Sequence, residues 1–225
     1  MRIPLGSNTS IQIHEEGQIY ILISAAITTF SAVFSGFSGI TVFFVFLTFG
    51  VISFFRDPER VIPQKKGVIV SPGDGVIVAI DDAPLPSELT SMINPDCVKV
   101  SVFLSVFNVH VNRIPIAGKI IDIKYHNGKF INASFDKAST DNERNTIAIE
   151  TENGDIVYCV QIAGLIARRI VCDAEIGDLY STGDRYGIIR FGSRMDIYIP
   201  KKYKINVSLW QTMIGGETSI AEFIG

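Results

Sequence analysis

Hydrophobic and polar positions divide the chain into two unlike parts. Residues 19–55 are almost continuously apolar, whereas the rest alternates short apolar runs with polar turns. A turn-like Ser-Gly-Phe-Ser-Gly cluster at 35–39 separates two apolar runs of about 16 residues each, 19–34 and 40–55. A straight membrane span needs about 20 residues, so a helical hairpin and a single longer span both stay open. Both arrangements predict a membrane-anchoring segment over residues 1–60.

The remaining residues, 61–225, carry the pattern of a β domain. Gly, Asn, Asp and Pro turns separate short runs rich in β-branched residues, at 68–70, 76–80, 98–103, 146–150 and 156–162. Short strands at this spacing, with no strong helical period, are typical of a sandwich or a barrel. We therefore predict a mainly β protein, in which an N-terminal hydrophobic helical (hairpin) anchor precedes a β-sandwich- or barrel-like domain.

The charges that follow the apolar block indicate an orientation. Four cations come directly after it: Arg56, Arg60, Lys65 and Lys66. Cations beside a membrane segment favour the cytoplasmic side. The polar leader has no basic region and no small-residue cleavage site follows, so a secretory signal is not indicated. We expect a cell-membrane protein whose β domain faces the cytoplasm.

Composition narrows the function classes. Hydrophobic residues make up 47% of the chain and charged residues 19%, which favours a membrane protein. The net charge of −3 argues against a nucleic-acid partner. The three cysteines, Cys97, Cys159 and Cys172, are too far apart for a metal site or a disulfide framework. The three histidines form no ligand pattern, so we expect no metal.

Polar side chains are concentrated in residues 103–115, a segment otherwise suited to a strand. Strict alternation would place Asn108, His110 and Asn112 on one face and Arg113 on the other. A neutral imidazole accepts a proton near neutral pH, which makes His110 a candidate base.

Two further motifs look like ordinary turns when taken alone. Residues 190–196 contain Gly192 and Ser193, but not the Gly-x-Ser-x-Gly elbow of hydrolases. Residues 71–75 read Ser-Pro-Gly-Asp-Gly, a tight turn that contains Asp74.

Together these segments resemble the short bacterial and archaeal type of the phosphatidylserine decarboxylase family. Seven stretches occur in the family's order, at 54–60, 71–75, 109–113, 142–145, 162–170, 183–193 and 216–218. The resemblance therefore covers nearly the whole chain beyond Phe54.

The resemblance implies a precursor that cleaves itself between Gly192 and Ser193. The products would be a β chain, residues 1–192, and an α chain, residues 193–225, which stay associated. Ser193 would become a pyruvoyl group, a covalent cofactor whose carbonyl binds the headgroup amine and draws electrons during loss of CO2. The implied reaction converts phosphatidylserine to phosphatidylethanolamine in phospholipid biosynthesis.

The resemblance also suggests roles for individual residues. His110 would serve as base and proton donor, and Asp74 would orient its ring as in a hydrolase triad. Substrate-binding candidates are Asn108, Asn112 and Arg113. Long members of the family have a His-x-x-His pair in this segment, whereas the second position here is Arg113. Both histidine roles would therefore fall on His110 or be shared with another group.

Two other functions stay open at this point. One is decarboxylation of archaetidylserine, an ether lipid with the same headgroup. The other is a membrane-tethered, lipoyl-like β module without catalysis, which needs an exposed lysine at a hairpin tip; Lys201-Lys202 is a poor match. The expected partner is a phospholipid in the membrane, with no nucleic acid, and homo-oligomerisation stays open.

Overall fold

The computed structural model describes residues 2–4, 10–82, 96–129, 141–164, 169–190 and 192–224. Phe191 and residues 165–168, which belong to two of the motifs above, lie outside the described residues. The chain forms two compact units, Met1–Glu59 and Arg60–Gly225.

The N-terminal unit contains two helices, α1 (Gln18–Ser35) and α2 (Gly39–Phe54), joined at Gly36 with φ +59°. They form an antiparallel hairpin rather than one long helix, because the hydroxyls of Thr28 and Thr48 lie 2.9 Å apart. Most of their large apolar side chains are exposed. Among the described residues, one helical stretch, Glu15–Ser35, is long and apolar enough to cross a bilayer, which supports membrane association.

The strands follow one another along the chain as β1 (Arg2–Pro4), β2 (Ser10–Ile13), β3 (Arg56–Asp57), β4 (Val68–Val70), β5 (Gly75–Asp82), β6 (Cys97–Leu104), β7 (Val111–Arg113), β8 (Gly118–His126), β9 (Arg144–Glu150), β10 (Ile156–Ala163), β11 (Ile170–Cys172), β12 (Leu179–Tyr180), β13 (Arg185–Ile189), β14 (Ser193–Pro200), β15 (Tyr203–Ile205), β16 (Thr212–Met213) and β17 (Ser219–Phe223). Each of the five β-branched runs named above lies in one of these strands. The predicted fold class is confirmed.

The large sheet is antiparallel, with strand order β12-β8-β9-β10-β14-β6-β5-β16. Two three-stranded sheets, β11-β13-β7 and β15-β17-β4, complete the second unit. Ile147 and Ile197 of the large sheet share one apolar core with Ile189 and Ile220 of the small ones. This sandwich-like packing buries one face of the large sheet.

Strand β14 occupies the middle of the large sheet, where all eight of its residues are buried. It pairs with β10 on one side and β6 on the other. Its first residue, Ser193, lies opposite Leu104 of β6 and Ala163 of β10. A residue in such a position has little freedom, because ladders on both sides fix its backbone.

Two of the three cysteines are buried apolar residues. Burial raises the pKa of the Cys97 thiol to about 11 and that of the Cys159 thiol to about 12. Both thiols are therefore protonated at neutral pH, which makes them poor nucleophiles.

Candidate active site

The Gly192–Ser193 peptide lies at the start of β14. Gly192 has φ +70°, a conformation that glycine adopts without a Cβ clash. Ser193 is fully buried, and its Oγ has no hydrogen-bond partner among the described residues. An unsatisfied buried hydroxyl costs about 1–3 kcal/mol, and this one lies at the predicted cleavage site, directly after a glycine of positive φ.

His110 contacts the residue before this serine. Its ring is fully buried, and Nδ1 lies 3.0 Å from the carbonyl oxygen of Asn108. Because that oxygen can only accept, Nδ1 carries the proton. The other nitrogen, Nε2, accepts the N–H of Gly192 at 3.4 Å. The basic lone pair of the ring therefore points towards the Gly192–Ser193 peptide.

The segment before His110 is a turn and not the strand expected from alternation. Strand β6 ends at Leu104, and the Asn108 side chain then closes a turn. Its Oδ1 accepts the backbone N–H of Ser105 at 2.9 Å and the Ser105 hydroxyl at 2.7 Å. Such local side-chain bonds compete with a sheet ladder. Only Val111–Arg113 form a strand, so the predicted alternation is wrong for Asn108 and His110, which precede it.

Asn112 and Arg113 have buried side chains that bond within the protein. Asn112 donates to the His110 carbonyl at 3.2 Å and accepts from Gln161 Nε2 at 2.8 Å. Arg113 donates from Nη1 to the carbonyl of Gly183 at 2.9 Å. These bonds make both residues part of the frame around His110, and their proposed contacts with substrate stay predictions.

Asp74 lies in a different contact from the one expected. Its two carboxylate oxygens accept hydrogen bonds from Nη2 of Arg60 at 2.9 and 2.8 Å. Oδ1 also accepts a hydrogen bond from the Gly215 N–H at 2.8 Å. Among the described contacts, the Asn108 carbonyl orients the His110 ring and Asp74 does not. The expected Asp74–His110 contact is corrected accordingly, and a chemical part for Asp74 stays a prediction.

Comparison with known proteins identifies the family. The sequence model described as phosphatidylserine decarboxylase matches residues 47–221. The phosphatidylserine decarboxylase proenzyme of Ruegeria pomeroyi is 51% identical over 209 residues, which are 93% of this chain and 94% of that protein. The proenzyme of Rickettsia akari is 50% identical over 211 residues, 94% of this chain and 90% of that protein. The chain belongs to the phosphatidylserine decarboxylase family.

In this family member the residues directly after Ser193 form a buried ion pair that the motifs did not indicate. Arg194 is fully buried, and its Nε donates to Asp196 at 2.6 Å. Its Nη2 donates to Ser101 Oγ of β6 at 2.8 Å. The only sequence signal was a pair of charges two residues apart in a strand pattern, which places them on one face. The pair fixes the first residues of the prospective α chain to the neighbouring strand.

The Arg60–Asp74 pair should stabilise this member of the family. Both side chains are mostly buried, at 11% and 16% exposure, so Arg60→Met leaves a carboxylate without its cation. We expect a loss of about 1–3 kcal/mol, seen as a lower melting temperature in detergent. Lys66→Met is the matched control, because Lys66 is 93% exposed and pairs only at 3.9 Å. Equal melting of the two variants would contradict this account.

Proposed function

We propose that this chain is the precursor of an enzyme that converts phosphatidylserine to phosphatidylethanolamine after cleaving itself at Gly192–Ser193. Membership of the phosphatidylserine decarboxylase family supports the reaction. The observation that carries the cleavage is the buried Ser193 hydroxyl, which lies beside a glycine of positive φ. The name of the relatives favours phosphatidylserine over archaetidylserine, and family membership favours an enzyme over a lipoyl-like module.

Cleavage begins at the Ser193 hydroxyl. Its Oγ bonds to the Gly192 carbonyl carbon while the Gly192–Ser193 C–N bond breaks, so that an ester replaces the peptide and the serine amine is freed. Removal of the Ser193 Cα proton then expels the Gly192 carboxylate from Cβ. The resulting dehydroalanine takes up water and releases ammonia, which leaves a pyruvoyl group on the α chain.

His110 is the group that we propose accepts the hydroxyl proton. A serine hydroxyl has a pKa far above 7, so the attack needs a base within reach. Because Nδ1–H is held by the Asn108 carbonyl, Nε2 is the nitrogen that remains basic. A rotation of the Ser193 hydroxyl towards Nε2 would replace the long 3.4 Å bond from Gly192. That rotation would give the Ser193 hydroxyl a hydrogen-bond partner and would activate its oxygen as the nucleophile.

A pyruvoyl group at residue 193 would supply a carbonyl able to bind the headgroup amine and to accept the electrons left by loss of CO2. The surroundings of residue 193 suit such a group, because strand β14 holds this residue and the His110 ring contacts Gly192, the residue before it. The product needs a proton on the carbon that lost CO2. Arg113 occupies the place of a second histidine and is bonded to Gly183, so we assign this proton donation to His110 as well.

The two chains are expected to remain together after cleavage. The α chain would retain β14 between β10 and β6, with the Arg194–Asp196 pair bonded to Ser101. It would also retain β16 paired with β5 and β17 paired with β4. Loss of one peptide bond therefore leaves every one of these ladders in place.

The apolar helical hairpin suits a substrate that stays in a bilayer. A diacyl lipid leaves the membrane reluctantly, so an enzyme acting on its headgroup works best when held there. We propose a cell-membrane location with the β unit on the cytoplasmic side, as the cations following α2 favour.

The reaction is tested with phosphatidylserine labelled at the serine carboxyl carbon. We expect labelled CO2 and an equal amount of phosphatidylethanolamine. Neither product should form after the enzyme is treated with phenylhydrazine, which blocks a pyruvoyl carbonyl. Cleaved protein that releases no CO2 from this lipid would contradict the proposed reaction. Full activity after phenylhydrazine would contradict the proposed cofactor.

A further inference from the structure

Two uncharged segments of the β unit present large apolar side chains to solvent. Residues 105–109 and 205–216 contain no Asp, Glu, Lys or Arg, although 19% of the chain is charged. Their exposed apolar side chains, which we call the apolar rim, are Val106, Phe107, Leu209, Trp210 and Ile214. Phe107 is 83% exposed and Trp210 is 74% exposed. Packing within a single chain therefore does not explain why Phe107 and Trp210 are large and apolar.

Strand register places Val106, Phe107 and Ile214 at the end of the large sheet where Ser193 lies, with Leu209 and Trp210 near it along the edge of β5. One row of paired residues crosses four adjacent strands: Arg194, Phe103, Val76 and Thr212. Strands lie about 4.8 Å apart, so this row spans about 14 Å. Ser193 adjoins one end of the row, on the side nearer the end of the sheet, and Ile214 follows Thr212 by two residues in the same direction. Trp210 bonds to Ile77 on the other side of the row, two residue positions further from that end than Ser193. Phe107 follows β6 beyond the same end, and Gly192 and Val106 are neighbours there.

Trp210 is held in a strained backbone conformation. Its φ of +68° is the only positive value among the described residues other than glycine. That conformation costs a residue with a Cβ about 1–2 kcal/mol. Trp210 donates its N–H to Ile77 at 2.8 Å, and Ile77 donates to Gln211 at 3.0 Å, so the turn is fixed to β5. A bulky indole held outward at a position that suits glycine indicates a use for the indole.

We propose that the apolar rim binds the surface of the lipid bilayer and holds the Ser193 end of the large sheet against it. This inference rests on the proposed function, since a bilayer-bound headgroup must reach Ser193. Tryptophan is favoured at the interface between headgroups and acyl chains. The absence of charge in both segments lets the rim enter that layer without desolvating an ion. The rim is thus a second membrane contact, separate from the helical hairpin.

The single tryptophan of the chain makes the contact directly measurable. The full chain is placed in phosphatidylcholine vesicles whose acyl chains are brominated near the headgroup, and in unbrominated vesicles. We expect the bromines to quench Trp210 emission, and acrylamide in the water to quench it less than it quenches free tryptophan. Emission that is unaffected by the bromines would overturn the proposal. A blue shift that depends on protein concentration in detergent without lipid, combined with no bromine quenching, would assign the surface to a second copy of the chain.

Kinetics with two forms of substrate provide an independent readout. The variant Leu209→Ser/Trp210→Asn removes both side chains, and asparagine tolerates positive φ. We expect its KM for phosphatidylserine in vesicles to rise roughly tenfold, as loss of a buried apolar contact predicts. Its rate on short-chain phosphatidylserine, dissolved as monomers, should match the wild type. Leu179→Ser is the control, because Leu179 is 82% exposed on β12 at the opposite edge of the sheet.

The outcomes separate this proposal from the proposed function. An equal loss on both substrates, or an unchanged KM on vesicles, would overturn membrane contact by the rim. Wild-type protein that is inactive on both substrates would overturn the proposed reaction, whereas the fluorescence measurement would still decide the contact.

Discussion

Ser193→Ala is expected to yield one uncleaved chain of 225 residues with no decarboxylase activity. The variant lacks both the oxygen that attacks the Gly192 carbonyl and the atom from which the pyruvoyl group is made. No neighbouring residue can replace them, because the new carbonyl must stand at the start of the α chain. Denaturing gels and a lipid assay measure the two losses separately.

The same variant should fold at least as well as the wild-type precursor. In the wild type the Ser193 hydroxyl is buried without a described partner, so deletion of its oxygen removes a desolvation cost of about 1–3 kcal/mol. Ser219→Ala is the matched control, because Ser219 Oγ is also buried without a described partner and also lies beyond the cleavage site. We expect that control to cleave and to turn over normally. A Ser193→Ala protein that still decarboxylates lipid would remove Ser193 from the mechanism.

His110→Gln is expected to slow self-cleavage by about 10²–10⁴-fold, the usual contribution of a positioned base. Glutamine fills much of the buried space and keeps hydrogen-bonding groups, so the loss reports on proton transfer more than on packing. Precursor that does cleave should also turn over slowly, because the same ring is assigned to protonate the product. The two rates are measured on freshly made precursor and on the purified cleaved fraction.

His126→Gln is the control for this result. His126 is exposed at the end of β8, where it lies opposite Arg144, and it has no assigned role. Both of its rates should equal those of the wild type. Normal cleavage and turnover by His110→Gln would remove His110 from the site. Normal cleavage with slow turnover would instead limit His110 to the second role.

The sequence predicted the strands well and their local interruptions poorly. Residues such as Val100 and Ile147 pack on the pleated face of a sheet, so their β-branched runs predicted strands correctly. The same pattern failed at Asn108, where bonds from one side chain to Ser105 close a turn. Positive φ at Gly192 agrees with the conformational freedom of glycine.

Contacts between distant residues were the least predictable part of the site. Asp74 was expected to orient His110, but it pairs with Arg60, fourteen residues earlier, and with the Gly215 amide. A carboxylate pairs with whichever cation the fold brings near, and sequence spacing does not give that proximity. The burial of Arg194 was hidden for the same reason, because its partner on β6 is Ser101, 93 residues away.

We expect the backbone to break before residue 193 and to leave a ketone there. Mass spectrometry of the purified full chain under denaturing conditions detects both the break and the new end group. We expect residues 1–192 with a free carboxyl group, and a 33-residue fragment of about 3.8 kDa from a chain of 24.7 kDa. That fragment should be lighter by one ammonia than a peptide beginning with serine. A preparation fully active on phosphatidylserine that contains only the intact chain would show that activity does not depend on self-cleavage.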